Sequence, residues 1–152
     1  MKILVTGSYG QLGSSLFNYL KSNIEIFWTG KNISSKRNGF HLDICDRINL
    51  KGLISLHDPD IVINLAALTN VDFCEKNPVL AREINTNGVR NICDAFKGKV
   101  VQISTDYVFD GKDGPYIEED EVCPLSVYGK TKLAAEKIVM SHNSDNLIIR
   151  GN

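Results

Sequence analysis

Short runs of consecutive β-branched and apolar residues alternate along the chain with longer segments whose apolar positions recur every three or four residues. Lys2–Thr6 (KILVT) has no polar face, which predicts a strand buried on both sides. Residues 11–22 place Leu12, Leu16, Phe17 and Leu20 on one helical face. Residues 24–28 read as a second strand. Asp46 is placed to cap a helix running to about Leu56, which the pair Asp58-Pro59 ends. Residues 60–65 (DIVINL) form another buried strand. Pro78 suits the first turn of a helix running to Phe96, with Gly98 closing it. Residues 99–104 (KVVQIS) read as a strand, 105–123 as a long loop, 124–142 as a helix and 146–150 as a last strand. This alternation predicts an α/β fold: a doubly wound parallel sheet with right-handed crossovers and helices on both faces. A ligand then belongs at the carboxyl ends of the strands.

Composition narrows the classes without changing that picture. With 152 residues, one domain with a real core is expected. Seventeen basic residues nearly cancel eighteen acidic ones, so no electrostatic footprint for nucleic acid or an anionic membrane is present. Lys2 is followed by only a short apolar run before Gly7, unlike a secretory leader, and Asn64 interrupts the longest candidate for a membrane span. Cys45, Cys74, Cys93 and Cys123 form no CxxC pair, and His41, His57 and His142 stand at no metal-ligand spacing. The expectation is a cytoplasmic protein with reduced thiols and no metal centre.

The first strand joins the first helix through Thr6-Gly7-Ser8-Tyr9-Gly10-Gln11-Leu12-Gly13. In this GxxGxxG spacing Gly7 makes the tight turn, Gly10 lets the backbone approach a pyrophosphate, and Gly13 lets the helix pack close to the sheet. Free N–H groups at the helix start then face the phosphates. A glycine-rich turn can also serve packing alone; its place between strand and helix favours a dinucleotide. No carboxylate follows the second strand to hold an adenosine 2′-hydroxyl. Lys31 stands there instead, with Lys36 and Arg37 beyond, and these also fit solvated loop charges. A basic residue suits a 2′-phosphate, so NADPH is expected to be preferred, with NADH usable. Asp43 is a candidate for the adenine edge.

Tyr128 and Lys132 lie four apart in a predicted helix and so share a face. A tyrosine with a pKa of about 10 exchanges protons poorly at pH 7, and a nearby ammonium favours phenolate. YxxxK alone is common and also describes two surface residues. Its company is Ser104-Thr105-Asp106-Tyr107 at a strand end, where a hydroxyl can hydrogen-bond a carbonyl. Asn64-Leu65-Ala66-Ala67 ends another strand with small side chains. Asn85 reads either as a helix-surface amide or as part of the site's frame.

Taken in order, TGSYGQLG, NLAALTNVD, INTNGVRN, ISTDYVFDG and PLSVYGKTKLAAE make the chain resemble the extended short-chain dehydrogenase/reductase superfamily. Within it, the chain is most similar to the dTDP-4-dehydrorhamnose reductase family, from Lys2 to Arg150. The resemblance implies a Rossmann-type NAD(P)-binding domain and reduction of the 4-keto group of a nucleotide sugar. It makes Tyr128 the general acid, has Lys132 hold the nicotinamide ribose and lower the tyrosine's pKa, and has Thr105 orient the carbonyl. It places Gly7, Tyr9, Gly10, Gln11, Leu12 and Gly13 around the pyrophosphate, Asp43 and Ile44 at the adenine, and Ala66, Ala67 and Thr69 along the ribose. Asp106 and Tyr107 fall on the substrate side. Related dehydratases carry Thr-Asp-Glu where Thr105-Asp106-Tyr107 stands, so reduction is favoured over elimination. NLAA replaces the usual NAAA, a minor departure. Such reductases continue for roughly another domain, so residues 1–152 are expected to be a truncated chain lacking a C-terminal substrate-binding region, and a homodimer is allowed for the full-length protein. Two other readings remain open. One is a non-catalytic NAD(P)-binding regulatory subunit, like that of methionine adenosyltransferase. The other is an epimerase or dehydratase of the same superfamily.

Overall fold

The structure is a computed structural model that describes residues 1–20, 24–33 and 39–151. Six parallel strands form one sheet: β1 (Lys2–Thr6), β2 (Glu25–Gly30), β3 (Phe40–His41), β4 (Ile61–Asn64), β5 (Lys99–Thr105) and β6 (Leu147–Gly151). Their order is β3-β2-β1-β4-β5-β6. The chain winds outward from β1 in one direction, then returns and winds outward in the other. The switch point, between β1 and β4, opens a crevice at the carboxyl ends of the strands.

The register explains the two-sided burial. Leu4, Val62 and Val100 are paired across β1, β4 and β5 and share a face. Helices α2 (Arg47–His57), α5 (Gly88–Ala95) and α6 (Val127–His142) cover it through Leu50, Ile54, Val89, Ile92, Ala135 and Val139. Ile3, Val5 and Trp28 face the other way, under Leu16 of α1 (Gln11–Tyr19) and Leu20 just beyond it. Strands buried on both faces account for the apolar runs KILVT and DIVINL.

Asp46 caps α2 as expected: its carboxylate accepts from the Ile48 and Asn49 amides. Asp58 closes that helix with a left-handed φ of 47°. Ser126 caps α6, accepting from the Gly129 amide, so the helix begins later than Pro124. The helix expected over 11–22 ends at Tyr19, with Leu20 already extended, and positions 21 and 22 lie outside the described residues.

Several elements differ from the sequence reading. Two short ones were not foreseen: the edge strand β3 and helix α3 (Val71–Lys76), capped by Asn70. A one-turn 3₁₀ helix, Asp106–Val108, opens the expected loop. The single helix expected from Pro78 to Phe96 is divided into α4 (Pro78–Arg82), a π-helical turn (Glu83–Asn87) and α5. Gly98 does not close α5 in a left-handed conformation; the helix leaves through extended Phe96.

Candidate active site

The glycine turn sets the floor of the crevice. Gly7 has φ 66°, and a Cβ there would come within 2.5 Å of the Ala66 backbone, so only glycine serves both conformation and space. A Cβ at Gly13 would strike the backbone of Ser8, which fixes how closely α1 approaches the turn. At Gly10 a Cβ would meet only the Gly7 carbonyl, at 3.3 Å, so the turn's own backbone leaves this side open toward the crevice.

The crevice has two lobes. Tyr9, Lys31, Asp43, Ile44 and Ala66 line the first; Gln11, Leu12, Gly13, Thr69, Tyr128 and Lys132 line the second; Gly7, Gly10 and Ala67 line both. Every residue expected to touch a dinucleotide therefore falls on one continuous surface. The donor set fits such a ligand. Ser104 also lines the second lobe, and its buried Oγ has no hydrogen-bond partner among the described residues. Buried polar atoms are normally paired, so an orphan here suits a ligand group.

At the rim of the first lobe the Lys31 ammonium sits 2.8 Å from the Asp43 carboxylate. Burial pushes the Asp43 carboxyl up, but Lys31 and the Cys45 amide outweigh it and hold the group below the ordinary range. Lys31 thus stands where expected but is paired. Lys36 and Arg37 lie outside the described residues.

At the other end, α6 meets the end of β5. Gly129 makes the approach possible: a Cβ there would strike the Tyr107 carbonyl. Tyr128 is buried and its ring stands edge-on to Tyr107, with centroids 5.7 Å apart. Burial raises the phenol's pKa, and the neighbouring Thr105 side chain opposes the rise. Lys132 Nζ donates to the Ile103 carbonyl at 2.5 Å. Burial brings the Lys132 ammonium down to about 8, against a smaller opposing pull from Glu136. The Thr105 hydroxyl donates to Asp106 and accepts from the Tyr107 amide. Thr105 lies beside the second lobe without lining it. Exposed Asp106 and Tyr107 line an adjoining hollow with Phe109, Tyr116 and Leu125.

A family model described as the RmlD substrate binding domain matches residues 1–152. The chain belongs to the RmlD family. Among its relatives, a dTDP-4-dehydrorhamnose reductase of Sinorhizobium fredii is 38% identical over 99% of this chain and 49% of its own length. Methionine adenosyltransferase 2 subunit beta of Xenopus laevis is 34% identical over 98% of this chain and 46% of its own. The crystal structure of dTDP-4-dehydrorhamnose reductase from Bacillus anthracis, in complex with NADP, superposes with a TM-score of 0.88 at 35% identity, covering 98% of this chain and 52% of that one. This RmlD-family chain spans about half the length of the relatives it matches.

The sequence left Asn85 open between two roles and gave none to Thr86 or Arg150. Asn85, 1% exposed in the π turn, accepts from the Leu68 amide and donates to the Leu68 carbonyl and to Thr131 Oγ1. It is no surface amide; it ties the loop after β4 to α6. The Thr86 hydroxyl adds a bond to the Thr131 carbonyl. Arg150 grips Glu136 of α6 through two hydrogen bonds, of 3.0 and 2.8 Å, lies over the Phe109 ring and donates to the Glu118 carbonyl. A polar residue amid helical apolar spacing was the signal for Asn85; Arg150 carried none.

Proposed function

We propose that this chain is the dinucleotide-binding, proton-transferring part of an NADPH-dependent reductase that acts on the 4-keto group of a nucleotide sugar, most directly dTDP-4-dehydrorhamnose. The observation that carries the reading is the meeting of Thr105, Tyr128 and Lys132 at the end of β5, beside the lobe floored by Gly7 and Gly10. Relatives named dTDP-4-dehydrorhamnose reductase, and the NADP complex of one of them, support both the substrate and the cofactor.

When bound, the reduced dinucleotide supplies a hydride to the carbonyl carbon. The carbonyl oxygen then needs a proton. Tyr128 is placed to give it: a phenol is protonated at neutral pH, and burial pushes its pKa further up. The Thr105 hydroxyl, beside that phenol, would turn its proton from Asp106 to orient the same oxygen. Lys132 would hold the ribose on the nicotinamide side, and its ammonium would favour the tyrosinate left behind. Tyr107 occupies the position at which elimination would need a carboxylate. Lys31 would take the 2′-phosphate of NADPH by leaving Asp43, and NADH is accepted with the pair intact. We assign residues 1–152 to the cofactor and proton transfer, and the rest of the sugar site to a C-terminal region of the kind the longer relatives have. We place the protein in the cytoplasm; among the described residues no helix is long and apolar enough to cross a membrane.

The test is NADPH oxidation by the whole protein with dTDP-4-dehydrorhamnose. Turnover is expected, and Tyr128→Phe should reduce it about 10²- to 10⁴-fold. A second reading, a non-catalytic subunit, is favoured by the 34% identity to methionine adenosyltransferase 2 subunit beta. Dinucleotide binding with no turnover, together with tight association with a methionine adenosyltransferase, would replace the first reading by the second.

A further inference from the structure

One row of side chains in the sheet is polar where its neighbours are apolar. On the face carrying Leu4, Val62 and Val100, the next positions along β1, β4 and β5 are Thr6, Asn64 and Gln102. They are at most 1% exposed. Buried amides and hydroxyls weaken a core unless their bonds close, and aliphatic residues would fill this layer at no such risk.

The bonds do close, and in one direction. Asn64 Oδ1 accepts from the Ala66 amide, a backbone donor that cannot reverse, and from the Thr6 hydroxyl. Asn64 Nδ2 must then face Gln102, where it donates to Oε1 at 2.7 Å. Gln102 in turn presents Nε2 to the Ile103 carbonyl, also at 2.7 Å. Lys132 Nζ donates to that same oxygen. The row therefore begins at the residue before Gly7 and ends on the acceptor that holds Lys132. A carbonyl oxygen has two lone pairs, one for each side-chain donor.

We propose that Gln102 is a positioning residue: through the Ile103 carbonyl it fixes the Lys132 amine and ties it to the turn that carries Gly7. The inference rests on the reductase reading for its catalytic consequence, but not for its geometric one. Without Gln102 the Ile103 carbonyl loses its lateral restraint, and the Lys132 amine, which already lines the second lobe, loses its fixed anchor.

Two variants test this, Gln102→Met, which keeps the side chain's length, and Gln102→Glu, which still accepts from Asn64 but cannot donate to Ile103. Acylation of Lys132 by acetic anhydride, followed by peptide mass spectrometry across pH 6–11, reads the amine directly in this chain. Gln102→Met should label at least threefold faster at pH 8, with an unchanged far-UV circular dichroism spectrum. Gln102→Glu brings a negative charge near the ammonium, so its labelling midpoint should move to higher pH. In the whole protein, kcat of Gln102→Met should fall about tenfold, with the sugar KM within twofold. Labelling rates and midpoints equal to wild type in both folded variants would overturn the proposal. A wild-type protein that never oxidises NADPH would instead sink the reductase reading, and the labelling would still decide the role of Gln102.

Discussion

Lys132 shows how one residue can serve the site at the fold's expense. Burial holds its ammonium near 8 rather than 10.5, so the unfolded chain binds this proton more tightly. The penalty is complete below pH 8 and disappears as pH rises toward 10.5. It corresponds to about 3 kcal/mol. Lys132→Met should therefore abolish turnover yet stabilise the protein by a few kcal/mol at pH 7, with the gain shrinking by pH 10. Urea denaturation of both proteins at the two pH values measures this, and a variant less stable than wild type at pH 7 would contradict it. Lys31 and Asp43 set up a second test. Since the pair must open for a 2′-phosphate, Lys31→Ala should weaken NADPH binding about five- to tenfold, roughly one charge-assisted contact, and leave NADH within twofold. Asp43→Asn should tilt the ratio toward NADPH. Calorimetric titration with each dinucleotide gives both numbers.

At the scale of elements, the site depends on how α6 is fastened. Gly129 sets its approach to the 3₁₀ turn, Asn85 and Thr86 bond it to the π turn, and Arg150 clamps Glu136 from β6. The Glu136 side chain is only 6% exposed, so removing Arg150 alone would strand a buried charge. Arg150→Ala should cost about 3–5 kcal/mol, and the double variant Glu136→Leu/Arg150→Leu less than that. Chemical denaturation of the single and double variants checks the order. The same elements show where pattern reading stops. Apolar spacing located α1, and capping chemistry at Asp46 placed α2, because both are local. The π turn was invisible, because its register follows bonds from Asn85 to Leu68 and Thr131, partners 17 and 46 residues away.

At the scale of the whole molecule, the crevice joins β1, β4, β5 and α6, elements from both halves of the sheet. A ligand bridging them should stabilise all of them together. At one hundred times its Kd, NADPH should add about 2.7 kcal/mol and raise the Tm by roughly 5–10 °C for a domain of this size. Scanning calorimetry with and without the dinucleotide tests this. A Tm unchanged under saturating NADPH would count against the crevice as its site.

The sequence by itself determined the alternation of strands and helices, the parallel sheet and the glycine turn, since each is written in local spacing and residue size. It also named Thr105, Tyr128 and Lys132, through motifs that keep their order along the chain. Only the tertiary structure decided how those residues face one another. It set the Lys132 amine on the Ile103 carbonyl, paired Lys31 with Asp43, and strung Thr6, Asn64 and Gln102 into one buried row. These are contacts between residues some 12 to 58 positions apart, set by strand register and helix packing, which no local pattern encodes.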